Sequence, residues 1–137
     1  MAITAPSAQA LSTAWNTRRP EAVAAVYAPR GARQVMGYGP GRVEGHEALI
    51  AHVTEIMTAV PDFELVTRSE SVSAEGVVTF EWTFRGTQQA DFGPIPASGQ
   101  EVVLEGVSII TMDGRLIGEE RVYWDGAVLM AAAGMLG

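Results

Sequence analysis

Cysteine and lysine are both absent from this sequence, and its nine basic residues are all arginine. Without cysteine the sequence offers no disulfide, no thiolate nucleophile and no zinc–thiolate site. Without lysine it offers no amine for Schiff-base chemistry. Histidine is also scarce, since only His46 and His52 occur. Any chemistry must therefore use carboxylates, these two imidazoles, hydroxyl groups or bound water.

Positive charge is in short supply, because sixteen acidic residues give the sequence a formal net charge of −7. Nucleic acids and anionic membranes both reward clustered basic residues, so this balance predicts neither of them as a partner. No apolar run approaches the roughly 18 residues that a membrane helix needs. The N-terminus shows no basic segment followed by an apolar stretch, so we expect no secretory signal and a cytoplasmic location.

The residues that are present have a globular balance, with 47% hydrophobic and 18% charged side chains over 137 positions. This length and this balance predict a single domain over residues 1–137 that can bury a sizeable core.

Helical periodicity dominates the first half of the chain. The spacing of apolar residues predicts helices over 7–16, 21–27 and 46–60, and the last is the clearest because its apolar side chains share one sector. A short strand is predicted over Gln34–Tyr38, followed by a loop in the glycine-rich segment 37–45.

After Pro61 the apolar period changes to two, which is typical of strands. The predicted strands are Phe63–Val72, Val77–Arg85, Glu101–Met112 and Arg115–Trp124. Tight turns would join them into a meander. We therefore predict an α+β fold in which helices cover the concave side of a curved antiparallel sheet and enclose an apolar pocket.

A series of short motifs runs through the second half of the chain. In order, these are Pro61-Asp62-Phe63, Phe84-Arg85-Gly86-Thr87-Gln88, Phe92-Gly93, Pro96-Ala97-Ser98-Gly99, Asp113-Gly114-Arg115 and Val122-Tyr123-Trp124-Asp125. With Trp15 and the helix start Gly45-His46-Glu47-Ala48, the series resembles the SnoaL-like polyketide cyclase family. The resemblance spans nearly the whole chain and implies a cone-shaped NTF2-like domain.

The resemblance also implies a reaction, namely intramolecular aldol ring closure on a polyketide without metal or cofactor. The family's acid/base group is an aspartate at the end of the last strand, which matches Asp125. A second family position, often a histidine, is Gln88 here, and this amide can hydrogen-bond a substrate carbonyl but cannot transfer a proton. We therefore predict Asp125 and Gln88 as the catalytic residues.

Two other functions stay open at this stage. The same fold can host an isomerase, a hydroxylase or an epoxide hydrolase, and Arg121 with Glu119 is the nearest charged set for epoxide opening. The chain can also be a non-catalytic homodimer that binds a small molecule.

Asp125 has a second interpretation from its neighbours alone. It precedes Gly126 and an apolar, helix-like segment, and Asp is a preferred residue just before a helix. The orientation of the last strand is open as well. One face carries Glu120 among apolar residues, whereas the other carries Arg121 and Tyr123 and continues to Asp125. A mixed face is usually solvated, but the family pattern turns it toward the pocket.

Aromatic walls suit an apolar, flat ligand, and His52 lies on the flank of the helix's apolar sector. The predicted substrate-binding residues are Trp15, Tyr38, Phe92, Tyr123, Arg121 and His52. We expect an apolar small molecule as substrate, and a homodimer formed through exposed apolar strand faces such as those of Glu101–Met112.

Overall fold

The computed structural model of the chain describes residues 6–37 and 39–135. Its helices are α1 (Pro6–Asn16), α2 (Pro20–Ala24), α3 (His46–Ala59) and α4 (Ala127–Ala132). Its strands are β1 (Tyr27–Met36), β2 (Arg42–Glu44), β3 (Glu64–Val72), β4 (Val78–Thr87), β5 (Glu101–Asp113) and β6 (Leu116–Trp124). Within these ranges no helix has the length and apolar character needed to cross a membrane.

The strands form one six-stranded sheet in the order β2-β1-β6-β5-β4-β3. Strands β3 to β6 pair antiparallel with their sequence neighbours, as the predicted meander requires. Strand β1 lies parallel to β6, and β2 pairs antiparallel with β1 at the edge. The predicted α+β fold class is confirmed, while the predicted four-strand sheet lacked two strands.

The missing strands lie in the first half of the chain. Strand β1 begins at Tyr27, within the segment predicted as a helix over 21–27, and α2 already ends at Ala24. Strand β2 lies in the segment predicted as loop. Strand β1 contains Pro29 and Gly31, which are poor strand formers, so its local sequence conceals it. Pairing with β6 outweighs that weak propensity.

Gly31 has a specific place in this pairing. A Cβ atom there would lie 2.7 Å from the carbonyl oxygen of Ile117, so only glycine lets the two backbones approach this closely. The register between β1 and β6 shifts between Tyr27 and Ala32, around this glycine.

Helices α1 and α3 supply the apolar layer that covers the sheet. Leu49, Val53 and Ile56 are buried on α3, in the sector that the periodicity predicts. On α1, Trp15 stands edge-on to Phe63 at 6.0 Å and to Phe84 at 6.5 Å, and these two rings stack at 4.9 Å. Each such pair adds about 0.5–1.5 kcal/mol to burial.

Strand β6 turns its apolar face inward. Glu120 and Val122 are each 1% exposed, whereas Arg121 and Tyr123 are exposed. The family-based expectation that the Arg121 face lines the pocket is therefore wrong. The physical reason is burial of apolar area, since Val122 and Trp124 can be covered by the helices only in this orientation.

Candidate functional site

A cavity lies between the inner face of the sheet and helices α1 and α3. It has a volume of about 660 Å³, open solvent at its mouth included, of which the centre of a water molecule can reach about 70 Å³. The chamber is therefore narrow. Six aromatic rings line it, and they belong to Trp15, Phe80, Trp82, Phe84, Phe92 and Trp124. Its polar lining consists of Arg33, His52 and Glu120.

A second, wider space adjoins this chamber. It is lined by α3, by the segment around Gly39 and Pro40, and by the loop from Phe92 to Ile95. His52, Ile56 and Phe92 line both spaces, as do Gly39 and Pro40. The two spaces therefore form a vestibule and an inner chamber, with His52 where they meet.

Glu120 is the centre of the polar network in the chamber. Its Oε1 accepts hydrogen bonds from the Tyr27 hydroxyl and, at 3.2 Å, from Arg33 Nη1. Its Oε2 accepts a 2.6 Å hydrogen bond from the Ser108 hydroxyl, whose oxygen accepts a 3.1 Å hydrogen bond from Trp82 Nε1. Both carboxylate oxygens are thus satisfied from neighbouring strands, which fixes the side chain.

The charge states of this network follow from burial and from the Glu120 carboxylate. Burial first, and the nearby carboxylate second, raise the pKa of Tyr27 well above its ordinary value, so the phenol stays protonated and donates. Burial alone would lower the pKa of Arg33, but attraction to Glu120 and hydrogen bonding to it and Tyr27 raise that pKa overall. Arg33 is therefore a cation paired with Glu120.

His52 is the third polar group in the lining, and it is neutral. Burial first, and repulsion by Arg33 second, lower the pKa of His52 to about 3. Its Nε2 is buried without a hydrogen-bond partner, and so is Nε of Arg33. A buried polar atom without a partner is rare in proteins and is a feature of binding sites. These two nitrogens are the groups that a ligand in the chamber can satisfy.

Three of the predicted site residues line the chamber, namely Trp15, Phe92 and His52. The ring of Trp15 also lies under the Arg33 guanidinium, whose central carbon is 5.4 Å from the ring centroid. Tyr38 lies outside the described residues.

Asp125 lies outside the chamber. Its carboxylate is exposed, and Oδ1 accepts a 3.1 Å hydrogen bond from the backbone N–H of Ala127 at the start of α4. This is the helix-start interpretation of its sequence context. The expectation that this carboxyl faces an enclosed pocket is contradicted by its position, so its predicted acid/base role loses its structural basis.

Gln88 is fully buried but serves the loop after β4. Its amide nitrogen donates to the carbonyl oxygen of Pro96 at 3.2 Å and to that of Ala90 at 3.4 Å. Its oxygen accepts a 3.1 Å hydrogen bond from the Ser98 hydroxyl. It is absent from the chamber lining, and all its hydrogen bonds hold loop residues. Its predicted role in orienting substrate is thus a placement error.

Arg121 and Tyr123 are likewise not in the chamber lining, because they lie on the outer face of β6. The partner of Glu119 is Arg42, at 2.9 Å on the surface. Within the described part of the chain, no three His, Asp or Glu side chains come together in a way that could hold a metal ion.

Arg33 and Glu120 are functional candidates that sequence reasoning missed. A signal for Glu120 was available, because a lone carboxylate in an apolar strand face requires a buried partner. Arg33 gave no signal, since it lies in a strand that the local sequence concealed.

A family model described as SnoaL-like polyketide cyclase matches residues 6–133 of this chain. No curated protein matches it significantly. Among solved structures, a candidate SnoaL-like polyketide cyclase from Jannaschia sp. CCS1 superposes with a TM-score of 0.81 at 22% identity, covering 96% of this chain and 90% of that one.

Two further structures are similar over nearly their whole length. A protein from Catenulispora acidiphila DSM 44928 with a ketosteroid isomerase-like fold has a TM-score of 0.82 at 15% identity, covering 97% of this chain and 95% of that one. A candidate polyketide cyclase from Xanthomonas campestris pv. campestris has a TM-score of 0.74 at 22% identity, covering 93% of each chain. At these identities the likeness establishes the ketosteroid isomerase or NTF2-like fold.

Proposed function

The chain belongs to the SnoaL-like polyketide cyclase family, and on that premise we propose that it is an enzyme of the cyclase or isomerase type. It acts without a cofactor on an apolar, polyketide-type carbonyl compound bound in the inner chamber. The observation that carries this proposal is the pair of unpartnered buried nitrogens, Arg33 Nε and His52 Nε2, in a chamber otherwise walled by aromatic rings.

The chamber favours a neutral, flat ligand. The charges of Arg33 and Glu120 compensate each other, and His52 is neutral, so a charged ground state gains little from the site. The narrow space between aromatic walls suits a planar ring system, which buries much apolar area against such walls. The polar atom of this ligand would be a carbonyl oxygen that accepts a hydrogen bond from Arg33 Nε.

Proton transfer next to that carbonyl is the chemistry that this arrangement supports. The unprotonated Nε2 of His52 takes a proton from the carbon beside the carbonyl, and the C–H bonding electrons move onto the oxygen as an enolate. Arg33 Nε–H stabilises the developing negative charge. The ordinary low pKa of His52 rises at that moment, because an enolate anion now lies beside the imidazolium.

The enolate can then continue in two ways, and both return the proton. In an isomerisation, His52 delivers the proton to a different carbon of the conjugated system. In an aldol closure, the enolate carbon attacks a second carbonyl of the same molecule, and the imidazolium protonates the alkoxide that forms. Glu120 is a positioning residue in both, because it holds the Arg33 guanidinium in place.

Hydrogen–deuterium exchange at the carbon beside a ketone tests this proposal before the natural substrate is known. We expect the wild type to accelerate exchange in a flat ketone such as 1-tetralone in D2O, followed by NMR. His52→Gln should lose about 10²–10⁴-fold of that rate, the usual contribution of a positioned base. Asp125→Asn is the matched control and should keep the full rate.

The opposite results are equally informative. A wild type that binds the ketone without accelerating exchange would indicate a non-catalytic binding protein, the function that the weakly basic His52 favours as second candidate. Loss of exchange in Asp125→Asn, with His52→Gln unaffected, would return the acid/base role to Asp125.

We also propose that the protein is a homodimer. Three apolar side chains on neighbouring strands of the outer sheet face are unusually exposed: Val103 at 42%, Tyr123 at 38% and Met36 at 37%. A second copy covering this face would remove that apolar area from water. We expect light scattering to give the dimer mass for the wild type and the monomer mass for Val103→Glu/Tyr123→Glu, whereas a monomeric wild type would contradict the proposal.

A further inference from the structure

Two tryptophans flank one glycine on the inner face of the sheet. Trp82 on β4 is the cross-strand neighbour of Gly106 on β5, which is in turn the neighbour of Trp124 on β6. Both tryptophans line the inner chamber. The row therefore crosses the wall of the chamber, with a residue that has no side chain at its centre.

Trp82 fills the place that a side chain at Gly106 would take. A Cβ atom built on Gly106 would lie 2.2 Å from Cζ2, 2.6 Å from Cη2 and 2.7 Å from Cε2 of that indole. These are distances that real carbon atoms do not reach. The six-membered ring of Trp82 thus lies directly over the backbone of β5, pressed against the sheet.

The indole is also held at its nitrogen. Trp82 Nε1 donates a 3.1 Å hydrogen bond to the hydroxyl of Ser108, which itself donates to Glu120. The ring is thus fixed at two points on β5, by contact over Gly106 and by the hydrogen bond two residues further on. Any larger residue at position 106 would lift the ring into the chamber and stretch that hydrogen bond.

We infer that Gly106 and Trp82 together determine the ligand specificity of the inner chamber. The indole lying on Gly106 forms a flat wall, and it selects planar ring systems that can stack on it over globular ones of equal size. This inference rests on the proposed function only in requiring that a small molecule binds in the chamber, whether or not it reacts. Trp82 acts here as a contact residue, and Gly106 as the residue that positions it.

Binding of two ketones of similar size tests the inference, with 1-tetralone as the flat ligand and camphor as the globular one. We expect the wild type to prefer 1-tetralone when dissociation constants are measured by NMR titration. Gly106→Ala should weaken 1-tetralone binding about tenfold, equivalent to about 1.4 kcal/mol, and should shift the Trp82 indole N–H resonance. Gly118→Ala is the matched control, because a Cβ there meets nothing closer than 3.3 Å.

A second substitution keeps the test decisive if Gly106→Ala alone perturbs folding. Trp82→Phe removes the ring atoms that the new methyl group would strike, so Gly106→Ala/Trp82→Phe should fold and should bind better than Gly106→Ala. The double variant should also have lost the preference for 1-tetralone over camphor, because the flat indole wall is gone.

Several outcomes would overturn the inference. These are a wild type that binds neither ketone or shows no preference between them, a Gly106→Ala variant that binds like the wild type, and a double variant that shows no rescue. Proton exchange separates this inference from the proposed function. A wild type that binds selectively but does not exchange protons would contradict catalysis alone, whereas exchange with unselective binding would contradict the specificity pair alone.

Discussion

Arg33 and Glu120 form an ion pair in the wall of the inner chamber, with Arg33 Nη1 3.2 Å from Glu120 Oε1. The side chain of Arg33 is 11% exposed and that of Glu120 is 2% exposed. Each charge has lost most of its hydration and depends on the other for stabilisation. Such a pair adds little net stability compared with an apolar pair, but the loss of one partner leaves a buried, uncompensated charge.

Removing one partner of this pair should therefore destabilise the fold strongly. We expect Arg33→Met to lower the free energy of unfolding by about 3–5 kcal/mol, because Glu120 is left charged in an apolar site. Arg33→Met/Glu120→Gln should cost less than the sum of the two single changes, since neither charge remains. Urea unfolding of the three variants measures this coupling, and strictly additive losses would contradict it.

The stability of the protein should depend on pH through His52. Its pKa is lowered from 6.5 to about 3 in the folded state, so below pH 6.5 the unfolded chain binds a proton that the folded chain does not. Stability is therefore fully present above pH 6.5 and falls by about 1.4 kcal/mol per pH unit down to about pH 3. Urea unfolding at pH 7, 5 and 4 should show this slope.

His52→Gln is the matched comparison for that slope, because glutamine does not titrate. We expect its stability to fall less steeply than that of the wild type between pH 6.5 and pH 4. Parallel curves for the two proteins would show that His52 is not held neutral by its surroundings.

Asp125 should contribute to stability and not to the chamber. Asp125→Ala removes the acceptor of the Ala127 N–H and should cost about 0.5–2 kcal/mol, the usual loss for a helix-start side chain. Asp125→Asn keeps an acceptor oxygen and should unfold at nearly the wild-type temperature. Thermal unfolding followed by circular dichroism distinguishes the two, and equal losses in both variants would indicate that the carboxylate charge matters.

Gln88 should hold the loop between β4 and β5. Gln88→Leu keeps the approximate size of the side chain but leaves the Pro96 carbonyl without its donor, which should cost about 1–3 kcal/mol. We expect faster proteolysis within residues 89–100, measured by mass spectrometry. Gln89→Leu is the control, because that side chain is exposed, and it should be cleaved like the wild type.

Much of this protein could be read from its sequence. The period-two runs on β3 to β6 and the apolar sector of α3 each report a buried face directly, because burial follows side-chain spacing within one element. The same holds for the absence of cysteine and lysine, which limits the chemistry whatever the fold. The motifs that resemble the SnoaL-like family are likewise local, and they led to the correct family and fold class.

The tertiary structure alone decided the polar content of the chamber. Arg33, Ser108 and Glu120 lie on three different strands, and only the parallel pairing of β1 with β6 brings Arg33 beside Glu120. That pairing joins segments far apart in the chain, so no local pattern reports it. The same is true of Asp125, whose position depends on which face of β6 the helices cover. The sequence thus determined which chemical groups were available, and long-range strand pairing decided which of them meet.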